Sequence, residues 1–147
     1  MKNSLLPSRS FLAWLAAAFM LVALVPAWAL TDADEKGVRA VVEAQLAALA
    51  RNDAATAFSF AAPNVREAVG TAGRFMDMVR KSYPAIYRPV STAFLKPEDH
   101  HGQVIQRVQL MDDSGGAWLA LYSLQQQKDK SWRITGCQVI VNKGRIA

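Results

Sequence analysis

The fifteen residues from Phe75 to Pro89, FMDMVRKSYPAIYRP, set the limits on what this chain can fold into, because the spacing of apolar residues changes there from helical to alternating. Phe75, Met78, Val79 and Ser82 recur at helical intervals. Tyr83-Pro84 and Arg88-Pro89 then stop the helix, since a residue preceding proline is driven toward extended geometry. Beyond Pro89 the pattern has period two, so helices precede the corner and strands follow it. The corner carries large polar-tipped side chains, Tyr83, Tyr87 and Arg88, and reads either as a structural joint or as one wall of a ligand site.

The beginning of the chain reads as an address. Lys2 and Arg9 form a basic start, 11–25 is an unbroken apolar run, Pro26 breaks it, and Ala27-Trp28-Ala29 offers the small-x-small pattern of a cleavage site. The run is shorter than the roughly 20 apolar residues that span a bilayer. Residues 1–29 are therefore expected to be a cleaved signal peptide and 30–147 a single domain, periplasmic or secreted and off the membrane after cleavage. With 52% hydrophobic and 20% charged residues in 147, the chain is too apolar for disorder. Without Lys2 and Arg9, fifteen basic residues remain against 12 acidic ones, a balance of about +3 with the two signs interleaved. A scattered charge on an exported chain speaks against a nucleic-acid partner. Cys137 is the one cysteine, so no internal disulfide is available and stability must come from an ordinary core.

Thr31, Asp32, Asp34 and Glu35 place capping oxygens and negative charge at a helix start, and Val38, Val41, Val42, Leu46 and Leu49 form its apolar stripe. Asn52-Asp53 ends this helix and caps a second, 54–60, with Phe58 and Phe60 as core candidates. Asn64 with Glu67 predicts a capping box for a short turn ending at Gly70, and Thr71 caps the helix that leads into the corner. Four antiparallel strands are expected at 90–95, 103–111, 117–126 and 132–141, with turns at 112–116 and 128–131. In the third of these, Trp118, Ala120, Tyr122 and Leu124 share one face, with Leu119 and Leu121 on the other. One face is expected to take the helices and the other to suit a dimer partner or a loop.

Helices first, a Tyr-Pro corner and hairpins closing on Ser131-Trp132-Arg133-Ile134-Thr135-Gly136-Cys137, with Ala48-Leu49-Ala50-Arg51-Asn52-Asp53-Ala54 at the first helix end, resemble the nuclear transport factor two-like superfamily. Phe75-Met76-Asp77-Met78-Val79-Arg80, Tyr83-Pro84, Tyr87-Arg88-Pro89 and Trp132 to Cys137 are similar, more narrowly, to the bacterial family labelled domain of unknown function 4864. The resemblance covers nearly all of 30–147. It implies an α+β cone, a curved sheet wrapped on helices with a pocket between the first helix and the concave face. Enzymes of the superfamily that resemble ketosteroid isomerase and scytalone dehydratase place Asp, Tyr or His in that pocket; those positions do not match residue by residue here, so no activity is carried over.

The candidate ligand-binding residues are Asp77, Tyr83, Tyr87 and Arg88, with Arg88 suited to an anionic group. Asp77 is either held inside by an arginine or paired on the surface with Arg74 or Arg80. His100 and His101, in Pro97-Glu98-Asp99-His100-His101-Gly102, read as a solvated loop, and no metal-ligand spacing or cofactor motif occurs. Cys137 reads as a small buried hydrophobe, or else as a reactive or intermolecularly paired thiol. The sequence thus points to a non-catalytic exported domain binding a small amphipathic molecule or a partner protein. The alternatives are an isomerase- or dehydratase-like enzyme using Asp77 with Tyr83 or Tyr87, and a structural module forming a homodimer.

Overall fold

The computed structural model describes residues 29–144, so the expected signal peptide lies almost wholly outside the described residues. Helices come first and an antiparallel sheet follows, an α+β arrangement. Helix α1 spans Asp32–Ala50 and opens on a capping box: the Thr31 hydroxyl accepts from the Asp34 N–H, and the Asp34 carboxylate accepts from the Thr31 N–H. Its stripe of Val38, Val42, Leu46 and Leu49 is buried. At its end Asn52 adopts φ 58°, a left-handed turn that asparagine tolerates, and Asp53 caps α2 (Ala54–Ser59) through the Thr56 N–H. Gln45 sits within the α1 stripe and is buried, with its Nε2 donating to the Ala57 carbonyl at 3.1 Å, which ties α2 to α1.

Helix α3 (Pro63–Val69) departs from the sequence expectation, since its N-cap is Ala62 and no side chain caps it. Pro63 opens the helix, a position where its missing N–H costs nothing, and Asn64 is already inside. Gly70 then ends α3 at φ 94°. Thr71 caps α4 (Ala72–Ser82), whose buried residues are Phe75, Met76 and Val79. Met78 is not among them, being 37% exposed, because the buried stripe is rotated toward Met76. After Tyr83 the chain makes one further turn of helix, α5 (Pro84–Tyr87), before the strands begin.

The sheet has five strands, one more than expected: β1 (Ser91–Phe94), β2 (Glu98–His100), β3 (Gln103–Met111), β4 (Ala117–Gln126) and β5 (Trp132–Val141). The order is β1-β3-β4-β5, and β2 lies beside β3 on the same edge as β1. The stretch expected to be a loop is instead a tight hairpin. His101 and Gly102 both take positive φ, 56° and 87°, which matches a two-residue turn, so Glu98, Asp99 and His100 pair with Ile105, Val104 and Gln103. Leu95 to Pro97 interrupt the edge between β1 and β2. Opposite the break the buried Gln106 amide donates to the Leu95 carbonyl at 2.6 Å. On the far edge, the Ala62 N–H donates to the Ile134 carbonyl at 2.8 Å and the Ile134 N–H to the Phe60 carbonyl at 2.9 Å.

Cross-strand register sets the faces. Val104, Val108 and Leu110 of β3, Ala120, Tyr122 and Leu124 of β4 and Ile134 of β5 are buried with α1, α4 and α5 in one core. On the outer face Leu119 and Leu121 are half-buried, while Met111 and Ile140 are exposed. Between β3 and β4, both oxygens of Asp112 are occupied: Oδ2 accepts from Trp118 Nε1 at 2.7 Å, and Oδ1 from the Gly116 N–H at 2.7 Å. Those bonds, the tryptophan's first, hold the Asp112 carboxyl below its ordinary value. Substituting Gly102→Ala should cost about 1–2 kcal/mol, because the new Cβ meets a left-handed backbone. Chemical denaturation checks the cost, and amide exchange should show the loss concentrated at the β2–β3 hairpin.

Candidate functional site

An apolar cavity of about 280 Å³ lies where the helices meet the last strand. Val65 and Val69 of α3, Phe75, Met78 and Val79 of α4, and Ile86 of α5 form its helical walls, and Ile134, Gly136 and Cys137 of β5 form its floor. The polar side chains among its lining residues are Gln45, Tyr83 and, more weakly polar, Cys137. Tyr83 reaches it because Tyr83 caps α4 and starts α5, so the proline corner fixes the position from which the ring projects. No carboxylate, imidazole, ammonium or guanidinium lines this space.

Half-buried Cys137 of the floor has a polar neighbour in the adjoining strand. Tyr122 is 0% exposed and stands opposite Cys137 in the β4–β5 ladder. Its hydroxyl oxygen has no hydrogen-bond partner, so the thiol contact falls short of a hydrogen bond. The two groups still influence one another. Burial pushes the Cys137 thiol up from an ordinary 9.0 to about 12, opposed in smaller measure by the Tyr122 hydroxyl. Burial, and after it the neighbouring thiol, raises the Tyr122 phenol well above 10.0. Both groups are therefore neutral at physiological pH, and a protonated thiol is a poor nucleophile.

The four candidate residues from the sequence do not converge on this cavity. Tyr83 lines it. Tyr87 and Arg88 meet at a separate corner, where the Tyr87 hydroxyl donates to Asn52 Oδ1 and the Arg88 guanidinium lies 4.9 Å from the Tyr87 ring centroid. Arg80 joins them, donating through Nη2 to Asn52 Oδ1 at 2.5 Å and lying 5.3 Å from the same ring centroid. Asp77 is exposed and, among the described residues, forms no ion pair with Arg74, Arg80 or Arg88. His100 lies near Glu98 on the β2 hairpin, and the described residues contain no group of three or more potential metal ligands.

Gln45, Val65, Val69 and Ile134 were not among the candidate site residues named from the sequence. Gln45 could have been, since it is a polar residue inside an apolar helical stripe. The others carry no local signal, because the fold alone brings α3 and β5 together.

The family model described as Domain of unknown function (DUF4864) matches residues 31–147, and the chain belongs to that family. No curated protein matches the chain. No solved structure matches it either.

The shifted thiol predicts an alkaline weakness. Between about pH 9 and 12 the unfolded chain has lost the Cys137 proton while the folded chain retains it, so stability must fall as pH rises through that window. The slope from this one group is at most about 1.4 kcal/mol per pH unit. Denaturant titrations at pH 8, 9, 10 and 11 should give a visibly flatter profile for Cys137→Ala than for the wild type.

Proposed function

We propose that this protein is an exported, non-catalytic binding domain that takes a small, uncharged and largely apolar molecule in the cavity between α3, α4, α5 and β5. The observation that carries the reading is the lining: apolar side chains with one amide, one phenol and one protonated thiol, the composition expected of a site that buries an apolar body and orients it with few polar contacts. The volume of about 280 Å³ falls just under the roughly 300 Å³ at which such sites usually begin, so the ligand is a small one. The cone of the nuclear transport factor two-like superfamily is the architecture we assign to it, supported by helices packed on one face of an antiparallel sheet. Export rests on the basic, apolar and small-residue segments of 1–29. Among the described residues no helix is long and apolar enough to cross a membrane.

The lining favours one ligand class over another. An unpaired carboxylate buried there would meet no cation, and the cost of desolvating it would exceed what an amide and a phenol return. A neutral ligand avoids that cost, so the Arg88-directed acid expected from the sequence is not the ligand proposed for this cavity. An isomerase- or dehydratase-like reaction would need a buried acid or base, whereas Asp77 is exposed and outside the lining.

A second reading, a homodimer, draws on the outer face of the sheet, where Ile140 is 49% exposed beside half-buried Leu119. Sedimentation of wild type and Ile140→Lys tests it: a dimer that the substitution dissociates supports the reading, and a wild-type monomer at high concentration removes it.

The ligand reading is tested by filling the space. Val65→Trp, at a half-buried position on α3, should reduce binding of a neutral fluorescent probe such as N-phenyl-1-naphthylamine at least tenfold while shifting stability by about 1 kcal/mol or less. Equal probe binding by both proteins would move the site elsewhere.

A further inference from the structure

We propose that Arg80 and Arg88, gathered on the ring of Tyr87 beside Asn52, form a binding site for a phosphoryl-type oxyanion, separate from the apolar cavity. The two guanidinium carbons lie 5.3 and 4.9 Å from one ring centroid. They are therefore about 10 Å apart at most, the sum of those distances, which is within the reach of one screened charge at moderate salt. Among the described residues neither arginine has a carboxylate within ion-pairing distance. Two cations held together without a counter-ion are a site of positive potential that an anion would relieve.

The other charges nearby do not cancel this one. Asp53 is the cap of α2: its hydrogen bonds with Thr56 come first in holding its carboxyl below the ordinary value, and the charge of Arg51 contributes after them. Asp77 lies on α4 three residues before Arg80, exposed and unpaired with it. Lys81, next to Arg80, is exposed and adds positive charge.

The groups are pre-positioned. Asn52, in its left-handed turn, accepts from both Arg80 Nη2 and the Tyr87 hydroxyl, which fixes one guanidinium and the ring that both arginines contact. Pro84 and Pro89 stiffen the segment that carries Tyr87 and Arg88. Arg88 donates no hydrogen bond to the protein among the described residues, so its planar fork is available, and Arg80 keeps the donors that Asn52 does not use. Two forks offer more donors than a two-oxygen carboxylate can accept. A phosphoryl group, with three terminal oxygens and up to two negative charges, matches them. The group can belong to a free phosphate or phosphate ester, or to the headgroup of an anionic lipid.

The experiment is an NMR titration of the full-length protein with inorganic phosphate at constant ionic strength, with sodium acetate as the matched control. A parallel arm sediments the protein with phosphatidylcholine vesicles containing or lacking phosphatidate. Phosphate should shift resonances of Arg80, Tyr87 and Arg88 saturably and acetate should not, and Arg88→Ala should weaken the response at least tenfold with an unchanged melting midpoint. Binding to phosphatidate vesicles that Arg88→Ala abolishes, without a response to free phosphate, assigns the headgroup as the source. If Arg88→Ala lowers the melting midpoint, Arg88→Lys replaces it: this variant keeps the charge and loses the fork, and it must also bind at least several-fold more weakly. An equal response to acetate, the absence of both a phosphate response and phosphatidate-dependent binding, or binding in either arm that neither Arg88 variant alters, overturns the site. Because Arg80, Tyr87 and Arg88 lie outside the cavity lining, loss of this site leaves neutral-probe binding intact, and the two proposals fail separately.

Discussion

The contact between α1 and the sheet is the interaction on which the other elements depend. Val38, Val42 and Leu49 of α1 share one core with Val104 and Val108 of β3 and Ala120, Tyr122 and Leu124 of β4. Each of the valines and leucines among them contributes on the order of 1.5–3 kcal/mol when fully buried, so this interface supplies much of the gain that offsets chain entropy. α2, α4 and α5 join the same core through Ala57, Phe75, Met76, Val79 and Ile86, and polar contacts fix their positions at defined points. Gln45 holds α2 through the Ala57 carbonyl, and the Asn52 turn holds α4 and α5 through Arg80 and Tyr87. The cavity lies where this attachment is least complete, under α3, none of whose residues is buried.

The architecture was largely legible in the sequence. β3, β4 and β5 fall at the expected 103–111, 117–126 and 132–141, because alternating apolar runs between glycine- and aspartate-rich turns are a strong local signal. β2 was not legible. Glu98-Asp99-His100 has no apolar alternation, and its strand state depends on two positive-φ residues at the turn and on β3 being there to pair with. Met78 shows a second limit: helical spacing locates a stripe without fixing its centre, and the neighbouring Met76 took the buried position.

The site was legible in fragments. Tyr83 could be named because two prolines mark the corner, and Tyr87 and Arg88 for the same reason. Their separation into a cavity group and a surface group depends on where α5 points, which no spacing in the chain records. The depth of the cavity is set by residues from α1, α3 and β5 that are far apart in sequence, and Asp77 drew notice only because a carboxylate among apolar neighbours is unusual.

The two edges of the sheet differ in their exposure to other chains. An unpaired strand edge is a template on which a second molecule can add its own strand, the first step toward fibrous aggregation. The β1–β2 edge is cut into runs of four and three residues by Leu95 to Pro97, too short and too bent to guide an incoming strand. The opposite edge belongs to the ten-residue β5, and the Phe60 to Ala62 backbone covers it only around Ile134. The end of β5 beyond Cys137 is thus the part of the sheet from which misassembly would start: Ile140 and Val141 are exposed there, and Lys143, just past the strand, is the first charged residue that opposes it.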